Sequence, residues 1–150
     1  MFKHILLCYD GSESSRRALK RGADLAMLVG ARVHLLATVA PGRGDPALMA
    51  AAMGTMCVVD DPGGLRAALD ESLGWLKSHG IEADGHITSG NAIDQILLYS
   101  KKLAVDLIVL GHYPQPSGGF WWSNQHRVSL AERANCCVLV AMDPVAQVQV

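Results

Sequence analysis

The sequence has no long apolar run, no block of like charges, no paired-cysteine motif and no catalytic signature, and each absence removes a class of protein. The run that follows Met1-Phe2-Lys3-His4 ends at Asp10, far short of the roughly 20 apolar residues that cross a bilayer, and no cleavage region follows it. The expectation is a cytoplasmic protein with no membrane partner. Charged residues make up 18% of the chain and the formal net charge is −1, which leaves neither a basic stripe for nucleic acid nor an acidic tail. The four cysteines, Cys8, Cys57, Cys136 and Cys137, contain no CxxC pair, and the adjacent two suit neither a zinc knuckle nor an ordinary disulfide framework. They read as buried, reduced thiols near strands, with a redox role for Cys136-Cys137 as the alternative. No Gly-x-Ser-x-Gly elbow, His-Glu-x-x-His helix or Walker lysine motif is present, and no Cys and His fall at ligand spacing. No metal site and no enzymatic activity are therefore expected. His4, His34, His79 and His86 fall on elements that the linear order places apart.

What is present suits one α/β domain over residues 1–150, half of them apolar and so enough for a core without staples. Residues 4–9 form a nearly continuous apolar run closed by Asp10-Gly11-Ser12, the pattern of a strand buried on both faces in a parallel sheet. Ser12 is a candidate helix cap and Glu13 suits a first turn. Ala18, Leu19, Ala23, Leu25, Ala26 and Val29 then recur at helical spacing until Gly30. Residues 33–39 read as a second strand, joined by a right-handed crossover. Residues 41–64, framed by Pro41, Gly42, Gly44, Pro46, Pro62, Gly63 and Gly64, read as a mobile excursion around an Ala/Met-rich stretch. Its methionines either line a binding surface or pack as a satellite helix. Leu65, Ala68, Leu69, Leu73 and Leu76 mark a helix closed by Gly80. Residues 81–88 alternate as a strand near an edge, and Gly90 or Asn91 opens a helix through Ile93, Ile96, Leu97 and Leu103. Strands over 105–110 and 137–142 flank a last helix over 124–134. The economical solution is an open, doubly wound, five-stranded parallel sheet, Rossmann-like, with helices on both faces. Its ligands belong beyond the carboxyl ends of the strands, at the point where strand order reverses.

Three pieces of sequence carry a resemblance over essentially the whole chain. Residues 5–15, reading Ile-Leu-Leu-Cys-Tyr-Asp-Gly-Ser-Glu-Ser-Ser, residues 106–111, Asp-Leu-Ile-Val-Leu-Gly, and residues 135–140, Asn-Cys-Cys-Val-Leu-Val, resemble the universal stress proteins in wording and order. The resemblance implies the strand order 3-2-1-4-5 and a division into members that bind ATP and members that do not. The binders carry Gly-x2-Gly-x9-Gly-Ser/Thr after strand four, where glycine amides and a hydroxyl hold the phosphates beside a helix N-terminus.

Fitted back from Cys137 without gaps, that motif keeps its spacing and loses its content. Its first glycine is Gly111, the second position is Pro114, and the final pair is Asn124-Gln125. Proline has no amide to donate and fixes φ, and Gln125 offers an amide where a short hydroxyl belongs. Asn124 still suits a helix cap or a left-handed turn. Gly118-Gly119 could form a substitute amide nest. Gly111-His112 with Phe120-Trp121-Trp122-Ser123 resembles the ATP-independent, universal stress protein A branch of the family. Asp10 matches the strand-one aspartate that meets nucleotide in the binders, although a cap for the next helix explains it equally, and Val39 lies near the position that meets adenine. His112, His126 and Arg127 read either as phosphate ligands or as a solvated helix face.

The expected function is regulatory, in stress response, through a protein partner and without tight ATP binding, so no cofactor is expected. The alternative is an ATP- or AMP-binding switch that uses Asp10, Val39, Gly111, Gly118, Gly119, Asn124 and Gln125, and a slow phosphohydrolase in the same crevice ranks third. The resemblance also implies a homodimer. The 143–150 tail carries the breaker Pro144 and then, over 145–150, alternates valine with small or polar residues, as a strand pairing with a second subunit would. Phe120, Trp121 and Trp122 mark either an interface or a cover over the crevice.

Overall fold

Alternation of strand and helix along the chain produces two layers of helix on a single sheet. The computed structural model describes residues 1–9, 13–39, 62–112 and 124–142. In order these form β1 (His4–Tyr9), α1 (Glu13–Val29), β2 (Arg32–Val39), α2 (Pro62–Ser78), β3 (Ala83–Ser89), α3 (Ala92–Lys102), β4 (Leu107–His112), α4 (Asn124–Arg133) and β5 (Cys137–Met142). All four ladders are parallel and the spatial order is β3-β2-β1-β4-β5, so β3 lies at an edge as its alternating sequence implies.

Side chains alternate across a strand, and that alternation divides the core in two. Odd-numbered Ile5, Leu7, Val33, Leu35, Leu107 and Val109 pack with Leu19, Ala23 and Ala26 of α1 and Leu65, Leu69 and Leu76 of α2. Even-numbered Leu6, Leu36, Ile108 and Leu110 pack with Ile93, Ile96 and Leu97 of α3 and Leu130 of α4. Helices therefore cover both faces, which is why β1, β2 and β4 read as continuous apolar runs. Each fully buried leucine or isoleucine contributes about 1.5–3 kcal/mol over an exposed one.

Three helices end in the same way. After α1, Gly30 has φ +68° and the Ala31 N–H donates to the Ala26 carbonyl at 3.0 Å; after α2, Gly80 has φ +74° and the Ile81 N–H donates to the Leu76 carbonyl at 3.0 Å. This six-to-one closure turns the chain sharply into the next strand. After α3 the same closure joins Val105 to the Ser100 carbonyl at 2.9 Å, with Ala104 at φ +51°. An alanine there is strained, because its Cβ crowds the backbone in the left-handed region.

Two expected boundaries shift. The strand expected over 105–110 is β4 at Leu107–His112. Val105 and Asp106 instead serve the closure of α3 and a turn in which Asp106 accepts from the Lys3 and His4 amides at 2.7 and 3.1 Å. The excursion expected to last through residue 64 yields to α2 at Pro62. Proline at the first helical position loses no hydrogen bond, and burial of Leu65 and Leu69 favours the helix despite Gly63-Gly64. Residues 41–61 and the 143–150 tail lie outside the described residues, so the expectations for both stand as sequence readings.

Candidate functional site

Strand order reverses between β1 and β4. From β1 the chain leaves to α1 on the odd face, and from β4 it leaves to α4 on the even face. In open sheets of this kind ligands sit beyond the strand ends at such a switch point. Pairing between β1 and β4 runs from Ile5 with Leu107 to Leu7 with Val109, whereas β1 pairs outward as far as Tyr9 with Ala37 and β4 as far as His112 with Met142.

Three groups of candidate residues reach this end of the sheet. Gly111 is buried in β4, level with Ala141 of β5. Val39 is the last residue of β2, level with Ser89 of β3. Asn124 and Gln125 are the first two residues of α4, and their side chains lie outside the described residues. Asp10, Gly118, Gly119, Pro114, Phe120, Trp121 and Trp122 also lie outside them. Gly111 is the penultimate residue of β4, and Asn124-Gln125 open α4, whose N-terminal partial charge favours an anion.

Polar groups fix the neighbouring elements. Asn91 caps α3, its side chain accepting from the Asp94 amide at 3.2 Å, and Thr88 Oγ1 donates to Gln95 Oε1 at 2.6 Å. Arg133 Nη2 donates to Asp94 Oδ1 at 3.0 Å and joins α4 to the first turn of α3, a solvent-exposed link worth about 0–1 kcal/mol. The Tyr9 hydroxyl, on a side chain just before Asp10, is buried without a hydrogen-bond partner among the described residues.

Two readings are corrected by the packing. His4, His34 and His86 are not apart: all three lie on the even face of adjacent strands, and the registers His34 with Leu6 and His86 with Leu36 set them on a diagonal. His4 Nδ1 is 3.2 Å from His34 Nε2; ring centroids are 5.5 Å apart for His4 and His34, 5.9 Å for His34 and His86, and 5.4 Å for His86 and Tyr99 of α3. Parity along three strands was the available signal, but it becomes a cluster only once strand order and register are known. His79 does stand away from them, packed on Trp75 at the end of α2. Cys8, Cys136 and Cys137 are free thiols, but none is fully buried: Cys8 and Cys136 are half-buried, and Cys137 is exposed because it begins an edge strand, while Cys57 lies outside the described residues. Burial and its neighbours Cys137 and Asp106 push the Cys136 thiol upward, which disfavours its reactive thiolate.

Among the described residues no group of three or more His, Cys, Asp or Glu side chains is arranged to hold a metal ion. No helix among them is long and apolar enough to cross a membrane.

An open five-stranded sheet wound 3-2-1-4-5, with its crevice at the β1/β4 switch point, defines a Rossmann-like α/β protein. The sequence model of the universal stress protein family matches residues 1–141, and the chain belongs to that family. Its fold is similar to that of universal stress protein UspA from Lactobacillus plantarum, with 20% identity, a TM-score of 0.72, and coverage of 92% of this chain and 96% of that one. A universal stress protein in complex with cAMP is 23% identical, with a TM-score of 0.68 over 93% of this chain and 97% of that one. A family member from Arabidopsis thaliana with AMP bound is 15% identical, with a TM-score of 0.64 over 97% and 94%. No curated protein matches the chain.

Proposed function

We propose that this universal stress protein is a regulatory domain of the ATP-independent type, acting through a protein partner and holding ATP weakly if at all. One observation carries the reading. Between the end of β4 at Gly111-His112 and the start of α4 at Asn124, the chain keeps the length of the phosphate loop but places Pro114, Asn124 and Gln125 at three of its four signature positions. A triphosphate needs several converging amides, and proline supplies none. The reading includes no catalytic step, so the phosphohydrolase alternative is not retained. It includes a cytoplasmic homodimer, for which β5 offers a sheet edge that, among the described residues, pairs only with β4, and an exposed Leu139. Sedimentation at micromolar concentration tests the dimer.

The test of the nucleotide claim is a thermal shift with Mg-ATP. At about 1 mM, a ligand of about 10 μM dissociation constant adds about 2.7 kcal/mol. For a chain of this size that raises Tm by about 5–10 °C. The expected shift is below about 1 °C, and a shift of the larger size contradicts the reading.

A second reading is favoured by the cAMP and AMP bound to solved relatives. A single phosphate needs fewer amides than three, so the changed loop costs a mononucleotide less. Here Asp10, Val39, Gly111, Gly118 and Gly119 would serve a switch for AMP in place of ATP. Release of AMP on denaturing the purified protein, with a thermal shift for AMP and none for ATP, selects this reading over the first.

A further inference from the structure

The diagonal of histidines lies away from the candidate crevice, across the start of β1 and the middle of β2 and β3, under α3. We propose that His4, His34 and His86, with Tyr99, form an acid-sensitive latch that holds α3 and the edge strand β3 on the sheet at neutral pH and loosens them on mild acidification.

A neutral imidazole has one donor and one acceptor nitrogen, and protonation turns both into donors. His34 is 5% exposed. Its Nε2 meets His4 Nδ1, while its Nδ1 is buried with no partner among the described residues; His86 Nε2 is likewise buried with no partner among them. In the neutral state each orphan can remain a bare lone pair, with His34 Nε2–H donating to His4. A proton at either position creates a buried cationic donor with nothing to accept it, which costs far more than a neutral orphan.

The surrounding charges do not rescue the cation. On β2, the Arg32 guanidinium acts on His34, and on α3, Lys102 places its Nζ 5.3 Å from the Tyr99 ring centre and acts on His86. Of the nearby acids, Asp84 acts on both buried rings. Asp84 of β3 already accepts from Arg32 Nε at 2.9 Å and from its Nη2, while Glu82 just before β3 takes Nη1 of the same guanidinium. Asp106, before β4, accepts from the backbone amides of Lys3 and His4. Burial, then the neighbouring imidazoles, lower the His34 proton affinity, with Asp84 opposing and Arg32 adding; burial lowers that of His86, with Asp84 opposing and Lys102 adding.

The sign follows from linkage. Both groups bind protons less readily folded than unfolded, so their contribution is complete above the unfolded value of about 6.5 and is lost as pH falls from there through the lowered folded values. A histidine that stays neutral in the fold raises the unfolding constant by at most about thirtyfold between pH 7.5 and pH 5.0. The strain is felt at β3, an edge strand, and at α3, which contributes Tyr99.

The test compares urea unfolding of the full chain at those two pH values with His34→Leu, and with His86→Leu in case the first does not fold. The unfolding constant of the unsubstituted protein should rise about tenfold more than that of either variant. Equal pH dependence overturns the latch. Carbon-proton NMR of the histidine rings in the unsubstituted protein gives an independent answer. His34 and His86 should remain neutral below the ordinary midpoint while amide exchange in α3 and β3, corrected for intrinsic rate, accelerates. Ordinary titration of both rings with unchanged exchange refutes it.

Discussion

Gly22 is where α1 comes closest to β1, and replacing it with alanine pits two known effects against each other. In an isolated helix the change stabilises by about 1 kcal/mol. Here the new Cβ would lie 2.3 Å from Leu7 Cδ2 and 3.4 Å from Leu7 Cδ1 and Cγ. Carbon atoms prefer about 3.5–4.0 Å, so the overlap exceeds 1 Å. Leu7 is 1% exposed and packed among Leu19, Ala23, Leu35 and Val109, which leaves its methyl little room to turn away. Overpacking of this kind costs about 1–3 kcal/mol, so, set against the propensity gain, Gly22→Ala should destabilise by up to about 2 kcal/mol net. Leu7→Ala alone should cost about 2–5 kcal/mol through the cavity it leaves. With Leu7 already truncated the clash disappears, and Gly22→Ala should then stabilise by about 1 kcal/mol. The pair should therefore couple by about 2 kcal/mol in a double-mutant cycle from urea unfolding at constant m. A stabilising Gly22→Ala in the unsubstituted protein, or additivity within about 0.5 kcal/mol, refutes the packing argument.

Three other substitutions address separate parts of the fold. Asn91→Ala removes the cap that accepts from the Asp94 amide and should cost about 1 kcal/mol, seen as a lower urea midpoint. Ala104→Gly relieves the positive φ after α3 and should raise stability by about 0.5–1 kcal/mol, net of the extra freedom glycine has when unfolded; a lower Tm contradicts the strain. Asp84 is held below the usual carboxylate range, first by its hydrogen bonds from Arg32 and then by the charge of that guanidinium. Its contribution is therefore present above about pH 4, the unfolded value, and is lost as pH falls through the lower folded value. Thermal unfolding from about pH 5 to pH 2 should fall less steeply in Arg32→Met than in the unsubstituted protein.

The sheet was legible because burial on both faces leaves continuous apolar runs, and because Gly30, Gly80 and Asn91 stand where helices end or begin. Features that depend on contacts between distant residues were not legible. Val105 is apolar and beside a strand, but its amide is claimed by the Ser100 carbonyl, so β4 starts later. Pro62-Gly63-Gly64 has the composition of a loop, and only the buried leucines that follow draw it into α2. The histidine diagonal needed the order β3-β2-β1 before parity meant proximity. At the candidate site, Gly111, Val39 and the start of α4 were placed correctly at the carboxyl end of the sheet by the pattern of strands and helices. The roles of Asp10 and the loop glycines rest on resemblance.

The central claim, that Pro114, Asn124 and Gln125 have dismantled a triphosphate cradle whose frame persists, is tested most directly by calorimetric titration with Mg-ATP. The protein as it stands is compared with the triple substitution Pro114→Gly, Asn124→Gly and Gln125→Ser. The account predicts no saturable heat for the natural sequence at micromolar concentrations and a gain of about tenfold or more in affinity, roughly 1.4 kcal/mol, on restoring the motif. A low-micromolar dissociation constant for the natural sequence contradicts it.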